Sequence, residues 1–369
     1  MSDQALAPII EKVECSIELS HADGVQLYET NDLWTICSLA NSVRTKLHGN
    51  NAYYNINRHV NYSNVCALSC KFCDFYRKKD DEGAYQHSIE DIQNEVTLAL
   101  ESGATEMHIV GGLHPWLPFT YYTEMLSTIK ELAPSIHIKA FTAVEIVHLA
   151  RISKRGRDGK AGISSVISDL IEHGLGSLPG GGAEVFDERV HDEAFKGKIS
   201  GEQWLDVHRV AHELGLNSNA TMLYGHIEKP EHIVDHLLKI RNLQKKTGGF
   251  LTLIPLKFSL ENTELEQNNM LTQECSSIYD LKVIALSRLM LSNFLNNISV
   301  YWVADGKKLA QVALSYGGND LVGTAFSEEV YRAAGKTTNS SLLDLVNLVK
   351  EIKREPAQRD TFFNIIRTF

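Results

Sequence analysis

After residue 50 the chain alternates between short apolar runs and longer segments in which apolar residues recur every three or four positions. The short runs predict β-strands, and the longer segments predict amphipathic helices. Strands that alternate with helices favour a parallel sheet, and eight of them predict an α/β fold of the (β/α)8 TIM-type barrel kind. The eight predicted strands are Arg58–Ser63, Glu106–Val110, His137–Ala140, Gly176–Pro179, Asn217–Met222, Phe250–Pro255, Ile298–Val303 and Asp320–Thr324.

Three predicted helices begin with the spacing of a capping box. Ser88, Thr142 and Ser200 are each followed three residues later by an Asp, Glu or Gln that can bond back to the start of the helix. Longer helical patterns cover roughly 230–246 and 276–293. The pattern divides the chain into an N-terminal helical extension (1–50), the barrel (51–325) and a C-terminal helical closure (326–369). A basic, glycine-containing stretch at 153–160 is typical of a solvated surface insertion.

Composition excludes several classes of protein. The chain has 369 residues, of which 43% are hydrophobic and 22% charged, so it is too apolar for a disordered protein. Its net charge of −10 argues against a nucleic-acid partner, which needs a basic footprint. There is no uncharged apolar run of about 18 residues to span a membrane, and Met1–Lys12 lacks the pattern of a secretory signal. We therefore expect a cytoplasmic enzyme.

Three of the six cysteines lie within eight residues, directly after the first predicted strand. Cys66, Cys70 and Cys73 have the spacing Cys-x3-Cys-x2-Cys, and three thiolates on one short loop can hold three irons of a [4Fe–4S] cluster. Such a cluster usually has four cysteine ligands, so one iron would be left open. The alternative is a zinc site, but His59 and His87 do not form the matching ligand pair that such a site needs.

The remaining cysteines predict no chemistry. Cys15, Cys37 and Cys275 stand alone in apolar surroundings, which is typical of small buried side chains. A disulfide framework is not expected in a large chain without an export signal.

A glycine pair, Gly111 and Gly112, follows the second predicted strand. Glycines at this position let the backbone approach a ligand closely, although a tight turn would also require them. In a parallel barrel the active site lies at the carboxyl ends of the strands, and the cysteine loop and the glycine pair both occupy such ends.

The cysteine spacing, with Phe72 just before the third cysteine, resembles the radical S-adenosylmethionine (radical SAM) superfamily. The resemblance implies that S-adenosylmethionine binds the open iron and is cleaved by an electron to methionine and a 5′-deoxyadenosyl radical. It also implies that Gly111 and Gly112 receive the amino group of S-adenosylmethionine. Ser177 is a candidate for bonding its ribose or carboxylate, although a role in a turn is equally consistent with its position.

Further segments are similar to the aminodeoxyfutalosine synthase family of the futalosine route to menaquinone. Related enzymes, namely cyclic dehypoxanthine futalosine synthase and the F0 synthase subunit, tend to have His-Ala-Phe-Ser-Pro where this chain has residues 139–143. Asp74 departs from the pattern, since a small residue is more usual there. The segments that carry the resemblance are 111–115, 139–146, 177–184, 219–226 and 359–361.

The resemblance implies a transferase that consumes S-adenosylmethionine. The adenosyl radical would add to the alkene of 3-[(1-carboxyvinyl)oxy]benzoate, an enolpyruvyl benzoate ether. Aryl migration and loss of one carboxylate would give 6-amino-6-deoxyfutalosine. An electron donor such as flavodoxin or ferredoxin would serve the cluster. The alternatives are a hydrogen-abstracting relative such as cyclic dehypoxanthine futalosine synthase, or a non-catalytic iron–sulfur or metal protein.

A dianionic substrate in an acidic protein needs local cations or N–H donors. Lys139 at the end of the third predicted strand is the candidate cation, unless it is a solvated surface lysine. His114 and His226 follow the second and fifth strands and are the catalytic candidates, against the structural role that lone histidines often have. The run Gly180, Gly181 and Gly182 predicts backbone N–H groups that face an anion, or else a flexible turn.

Overall fold

The computed structural model describes residues 4–195, 197–261, 263–336, 338 and 340–369. The strands are β1 (Asn51–Tyr54), β2 (Asn57–Val60), β3 (Glu106–Ile109), β4 (His137–Ala140), β5 (Ser177–Leu178), β6 (Asn217–Tyr224), β7 (Phe250–Lys257), β8 (Glu355–Arg359) and β9 (Ile365–Thr368). The helices of the first half are α1 (Ala7–Glu14), α2 (His21–Glu29), α3 (Leu33–His48), α4 (Ile89–Glu101), α5 (Phe119–Leu132), α6 (Ala143–Ile152), α7 (Gly159–Glu172) and α8 (Glu188–Ala194). Those of the second half are α9 (Gly201–Glu213), α10 (Pro230–Thr247), α11 (Glu264–Gln267), α12 (Ser277–Leu291), α13 (Trp302–Asp305), α14 (Lys307–Ala313), α15 (Val330–Ala333) and α16 (Leu342–Glu351). Short 3-10 turns cover Gln4–Leu6 and Gly156–Asp158.

Strands β2 to β7 form one parallel sheet in the order of the chain, with helices in the crossovers. Isolated bridges then continue the ring: Leu253 of β7 pairs with Ile298, Ser299 pairs with Asp320, and Phe326 pairs with Arg58 of β2. The sheet is therefore curled into the predicted α/β barrel. Because its strands are parallel, their carboxyl ends all open on the same face.

Two of the eight predicted strands were wrong in their extent. The segments predicted at 298–303 and 320–324 contribute only the isolated bridges. The first leaves the sheet where α13 begins at Trp302. The second contains Val322, whose φ of 63° lies in the left-handed region that a strand cannot accommodate.

The pattern had predicted a purely helical C-terminal segment, and this was wrong. The segment contains α15 and α16 and also a second sheet, in which β8 pairs in parallel with β1 and antiparallel with β9. The pairing of Tyr53 with Ala357 joins residues from the two ends of the chain. Local periodicity carries no information on such a distant partner, which is why these strands were missed.

The three capping boxes are confirmed. The side chains of Ser88, Thr142 and Ser200 each accept the N–H of the residue three positions later, and that residue bonds back. Thr142 starts α6 immediately after β4, so the box holds the start of α6 at the carboxyl end of the barrel. Within the described part of the chain, no helix combines the length and the apolar character that crossing a bilayer requires.

A buried polar network fills the interior near the amino ends of the strands. Glu106, the first residue of β3, pairs with the ammonium group of Lys139 at 2.7 Å and accepts the hydroxyl of Thr361 at 2.5 Å. Arg359 of β8 pairs with Asp320 at 2.7 Å. The β8 segment thus contributes charged side chains to this end of the barrel, and the opposite end is left for a ligand.

Candidate active site

A cavity of about 290 Å³ opens among the loops that follow the barrel strands. All three cysteines of the Cys-x3-Cys-x2-Cys loop line it, together with the glycine pair and two residues of the triple glycine. Most of the remaining wall is apolar or aromatic. The apolar and aromatic lining residues include Leu68, Phe72, Phe75, Leu113, Val144, Leu223, Leu256, Phe258 and Tyr331.

The cysteine loop is held at both edges by backbone hydrogen bonds. The N–H of Cys66 donates to the carbonyl of Arg77 at 3.0 Å, and the N–H of Ala67 donates to the carbonyl of Leu113 at 2.9 Å. The N–H of Leu113 in turn points at the sulfur of Cys66, at 3.4 Å. Hydrogen bonds to ligand sulfurs are one means by which a protein sets the potential of an iron–sulfur cluster.

Lys78 closes the loop from outside. Its ammonium group donates to the carbonyls of Cys66 at 3.1 Å and Leu68 at 2.9 Å. A positive charge is thereby fixed on the loop that carries the thiols, whereas neighbouring Lys79 lies over the ring of Trp116 at 5.2 Å.

The three thiols fit a cluster better than a single metal ion. Among the described residues, no set of three His, Cys, Asp or Glu side chains converges on one point. A zinc ion requires such convergence, whereas a cubane cluster takes one thiolate at each of three separate corners. Burial raises the pKa of Cys70 to about 12, although Lys198 opposes the shift. Burial therefore favours the neutral thiol of Cys70, and a bound cation would favour its thiolate, as is usual for metal ligands.

The glycine pair is required by close packing. A Cβ at Gly112 would lie 2.4 Å from the carbonyl oxygen of Val65, and one at Gly111 would lie 2.7 Å from the ring of Tyr62. The N–H of Gly111 donates to the carboxylate of Glu145 at 3.0 Å. The pair thus brings the backbone of the β3 loop against the cysteine loop, at the wall of the cavity.

Glu145 lies at the same wall. It accepts the hydroxyl of Tyr62 at 2.8 Å and both the N–H and the hydroxyl of Thr142 at 2.8 Å. Burial raises the pKa of this carboxyl group to about 7, although these hydrogen bonds lower it.

The triple glycine divides into two parts. Gly181 and Gly182 line the cavity, whereas Gly180 packs on β6, where a Cβ would lie 2.7 Å from the carbonyl carbon of Ala220. Gly182 has a φ of 89°, which favours glycine. Thr221 donates its hydroxyl to the carbonyl of Gly180 at 2.6 Å, so the run is anchored and not a free turn.

Among the described residues that line the cavity, Lys198 and Lys257 carry the ammonium groups. Lys198 pairs with Glu184 and lies over the ring of Phe72 at 4.8 Å. Burial disfavours its charge, but Glu184 and the nearby thiol of Cys70 outweigh that effect and raise the pKa of Lys198. A buried cation therefore stands beside the cysteine loop.

Lys257 is the last residue of β7 and bonds Asp280 at 3.0 Å. Burial disfavours its charge as well, but Asp280 reverses the shift and raises the pKa of Lys257. Both cavity lysines therefore carry their charge near neutral pH.

Besides Gly180, four residues predicted for the site do not line the cavity. Lys139 is 5% exposed and its ammonium group is bonded to Glu106. Ser177 is buried and bonds His137 at 2.8 Å. The structure therefore does not bring the proposed anion-binding lysine or the proposed ribose-binding serine to the ligand space, because β4 and β5 direct these side chains into the polar network at the other end.

The two histidines also lie apart from the cavity. His114 accepts the N–H of Leu117 at 3.1 Å and lines a separate surface pocket with Trp116. His226 is buried, 3.1 Å from both Glu228 and the carbonyl of Leu223. By contrast Phe72 and Asp74 do line the cavity.

Sequence reasoning missed Lys198, Glu184 and Lys257. Lys257 has a usable signal, because it is a charged residue two positions beyond the predicted strand 250–255 and strand ends carry barrel active sites. Lys198 has none, since it follows α8 in the long β5–β6 connection. Its place beside Phe72 exists only in the folded chain.

Comparison with known proteins agrees with this geometry. The sequence profile of the radical SAM superfamily matches residues 60–240, and the profile described as the CofH/MqnC C-terminal region matches residues 247–368. Aminodeoxyfutalosine synthase of Thermus thermophilus is 38% identical, over 100% of this chain and 97% of that protein. The enzyme of the same name from Streptomyces coelicolor is 38% identical, over 97% and 93%.

A second group of relatives carries another name. The 5-amino-6-(D-ribitylamino)uracil–L-tyrosine 4-hydroxyphenyl transferase of Methanopyrus kandleri is 35% identical over 92% of this chain and 90% of its own length. Among solved structures, methylornithine synthase shares the fold with a TM-score of 0.73 at 18% identity, covering 95% of this chain and 97% of its own. The extent and identity of these matches, together with the three-cysteine loop at the mouth of a parallel barrel, place the chain in the radical SAM superfamily, in the family that includes the aminodeoxyfutalosine synthases.

Proposed function

We propose that this enzyme is an aminodeoxyfutalosine synthase that converts S-adenosylmethionine and 3-[(1-carboxyvinyl)oxy]benzoate into 6-amino-6-deoxyfutalosine and methionine. In the net reaction the adenosyl carbon becomes bonded to the alkene carbon, the aryl group moves from oxygen to carbon, and one carboxylate leaves as carbon dioxide. The observation that carries the proposal is the 38% identity to two enzymes of this name over nearly the whole chain.

As a radical SAM enzyme the protein uses a [4Fe–4S] cluster and S-adenosylmethionine. When bound, the cluster supplies the electron that cleaves S-adenosylmethionine to the adenosyl radical. Cys66, Cys70 and Cys73 are the ligands that we assign to it. The Leu113 N–H and the Lys78 ammonium group hold the loop and set the charge around it.

The residues next to the cysteine loop suit the methionine part of S-adenosylmethionine. Lys198 places a cation beside the thiols, where it can pair with a carboxylate, and Glu184 fixes its position. The backbone of Gly181 and Gly182 leaves room for a ligand against the wall above β5. These residues orient the reactants and form no covalent bond with them.

The apolar wall supports addition to an alkene. Leu223, Leu256, Phe258 and Tyr331 present no ionised group to the centre of the cavity. Such a surface holds flat aromatic groups, excludes water, and lets positioning decide which atom a radical meets. Addition requires the alkene carbon to be nearer than any abstractable hydrogen.

The electron donor that we propose is a flavodoxin or a ferredoxin. The loop is accessible from outside the barrel, because Cys66 also lines a surface groove with Lys78, Lys79 and Trp116. Trp116 is 62% exposed there. The groove thus lets an electron donor approach the cysteine loop from a side that is separate from the substrate cavity.

The decisive experiment is an anaerobic incubation of the reconstituted enzyme with S-adenosylmethionine labelled in the adenosyl group, dithionite and the enol ether. We expect one methionine per product, the label in an adenine-containing product that has lost one carboxylate, and little free 5′-deoxyadenosine. Labelled 5′-deoxyadenosine as the main product from consumed substrate would instead identify a hydrogen-abstracting relative. Turnover only with L-tyrosine and 5-amino-6-(D-ribitylamino)uracil would favour the second group of relatives.

A further inference from the structure

Lys257 is the cavity cation that lies away from the cysteine loop. The ion pair of Lys198 with Glu184 belongs to the loop after β5, and Lys257 ends β7, with β6 between these two strands in the sheet. The charged and ionisable neighbours of Lys257 include Asp280, Glu274, Cys275 and Asp305, whereas those of Lys198 include Cys70 and Cys73. The two lysines therefore serve different parts of the cavity.

Among the described residues, only Asp280 holds the ammonium group of Lys257 by a short contact. Asp280, of which 2% is exposed, accepts from it at 3.0 Å. Its other contacts are long, at 3.4 Å to the carbonyl of Cys275 and 3.8 Å to Glu274. Glu274 has a second cation at 3.2 Å, Lys336. An ammonium group has three N–H donors, so an incoming carboxylate can replace the weak contacts without leaving Glu274 uncompensated.

Two aromatic residues line the same cavity as Lys257. Phe258 follows it in the chain and lines the cavity. Tyr331 donates its hydroxyl to the carbonyl of Lys257 at 3.2 Å and packs edge-on against Tyr301, with 5.4 Å between ring centroids. A cavity lined by a cation and two aromatic rings matches an aromatic carboxylate, whose ring can pack on the aromatic groups while its charge meets the ammonium group.

We propose that Lys257 binds the ring carboxylate of the substrate, and that Asp280 is the positioning residue that holds the ammonium group in place. This assignment rests on the proposed function, since it takes a benzoate as the ligand. It gives the enzyme an anion subsite at the carboxyl end of β7, in place of Lys139, which the fold commits to Glu106.

The chemistry distinguishes between the two carboxylates of the substrate. The carboxylate on the alkene leaves as carbon dioxide, so a cation bonded to it would stabilise the ground state more than the transition state and would slow the reaction. The ring carboxylate keeps its charge from substrate to product. A permanent ammonium partner therefore suits the ring carboxylate better than the carboxylate that leaves.

The test compares 3-[(1-carboxyvinyl)oxy]benzoate with 2-phenoxyacrylate, which lacks the ring carboxylate. Binding to the cluster-loaded enzyme is measured by calorimetry without reductant, and kcat/KM is measured with dithionite and S-adenosylmethionine. For the dicarboxylate, we expect Lys257→Met to raise Kd and to lower kcat/KM about 10- to 100-fold. For 2-phenoxyacrylate, we expect wild type and variant to agree within about 3-fold, because the lost hydrogen bond has no partner there.

Lys336→Met is the matched control, because it removes an ammonium group from the same Glu274 without touching the cavity. If Lys257→Met does not fold, the double variant with Lys257→Met and Asp280→Asn removes both charges of the ion pair. It is then compared with the wild type on both compounds. Lys257→Arg should restore at least part of the preference for the dicarboxylate. An equal effect of Lys257→Met on both compounds, or on neither, overturns the subsite while leaving the synthase function intact. A wild type that makes no adenine-containing product overturns both.

Discussion

The backbone N–H of Gly111 donates a hydrogen bond of 3.0 Å to the side chain of Glu145. One carboxylate therefore joins the glycine pair after β3 to the cap of α6, since its other oxygen accepts from Thr142. The pattern Thr142–Glu145 predicts the cap alone. The second bond arises because β3 and β4 are neighbours in the sheet, so the loops that follow them meet.

The raised pKa of Glu145 predicts a pH-dependent contribution to stability. Burial raises it from 4.5 to about 7, so the folded state binds this proton more tightly than the unfolded state. Its contribution to the free energy of unfolding is fully present below about pH 4.5 and is lost as the pH rises through 7. We expect Glu145→Gln to remove this dependence, so that the Tm of wild type relative to the variant falls between pH 5 and 8. Apo-protein thermal scans at each pH measure it, and parallel profiles would contradict the prediction.

Lys139 is expected to matter for stability and not for substrate binding. Lys139→Met leaves the buried carboxylate of Glu106 without its 2.7 Å partner, and breaking a buried ion pair costs about 3–5 kcal/mol. The further change Glu106→Gln should recover much of that loss. Thermal unfolding of the wild type, the single variant and the double variant tests this, with kinetics on the double variant as a second measurement. A stable Lys139→Met protein with a raised KM would instead indicate that Lys139 binds the substrate.

The three loop cysteines are expected to be equivalent in cluster binding. Replacing Cys66, Cys70 or Cys73 by Ala should abolish the iron–sulfur absorbance and lower the iron content of the reconstituted chain, because each thiolate occupies one corner of the cubane. Cys275→Ser is the control, since Cys275 bonds Asp280 at 3.2 Å outside the loop. Iron content per chain gives the answer independently of turnover. Normal iron in Cys70→Ala would exclude this ligand set.

We expect Lys78 to slow the loss of the cluster by stabilising the cysteine loop, whereas Lys79 should have no such effect. Lys78→Met removes two hydrogen bonds to the carbonyls of Cys66 and Leu68, together with a positive charge on the ligand loop. We expect faster iron loss to a chelator, roughly 3- to 10-fold for bonds of this exposed kind, and a lower reduction potential. Lys79→Met, which removes only the contact to Trp116, should behave as wild type. Equal behaviour of the two variants would show that the hydrogen bonds of Lys78 have no effect on cluster retention.

Much of the fold was available from local patterns. Strands β2, β3, β4, β6 and β7 coincide closely with predicted apolar runs, and the caps at Ser88, Thr142 and Ser200 follow from spacing alone. Both signals depend on residues close together in the chain, so they are readable without the fold. The same holds for Cys66, Cys70 and Cys73, whose spacing implies that their thiols share one short loop.

Other features depend on contacts between distant segments. Strand β8 forms because residues 355–358 meet β1, and Val322 ends a predicted strand through its backbone conformation. Neither leaves a mark in the local alternation of apolar and polar residues.

By itself, the sequence determined the barrel class, the cysteine loop and the glycine pair, because each of these features depends on residues that lie close together in the chain. Tertiary structure alone decided which cations line the cavity. Lys139, Lys198 and Lys257 are the same residue type in the sequence, but what packs against each side chain decides whether it meets a buried carboxylate or the cavity. Glu106 holds Lys139 inside the barrel, whereas Lys198 and Lys257 are placed at the open end by Glu184 and Asp280. Burial and partners decide what each charge can do, and both are properties of the folded chain.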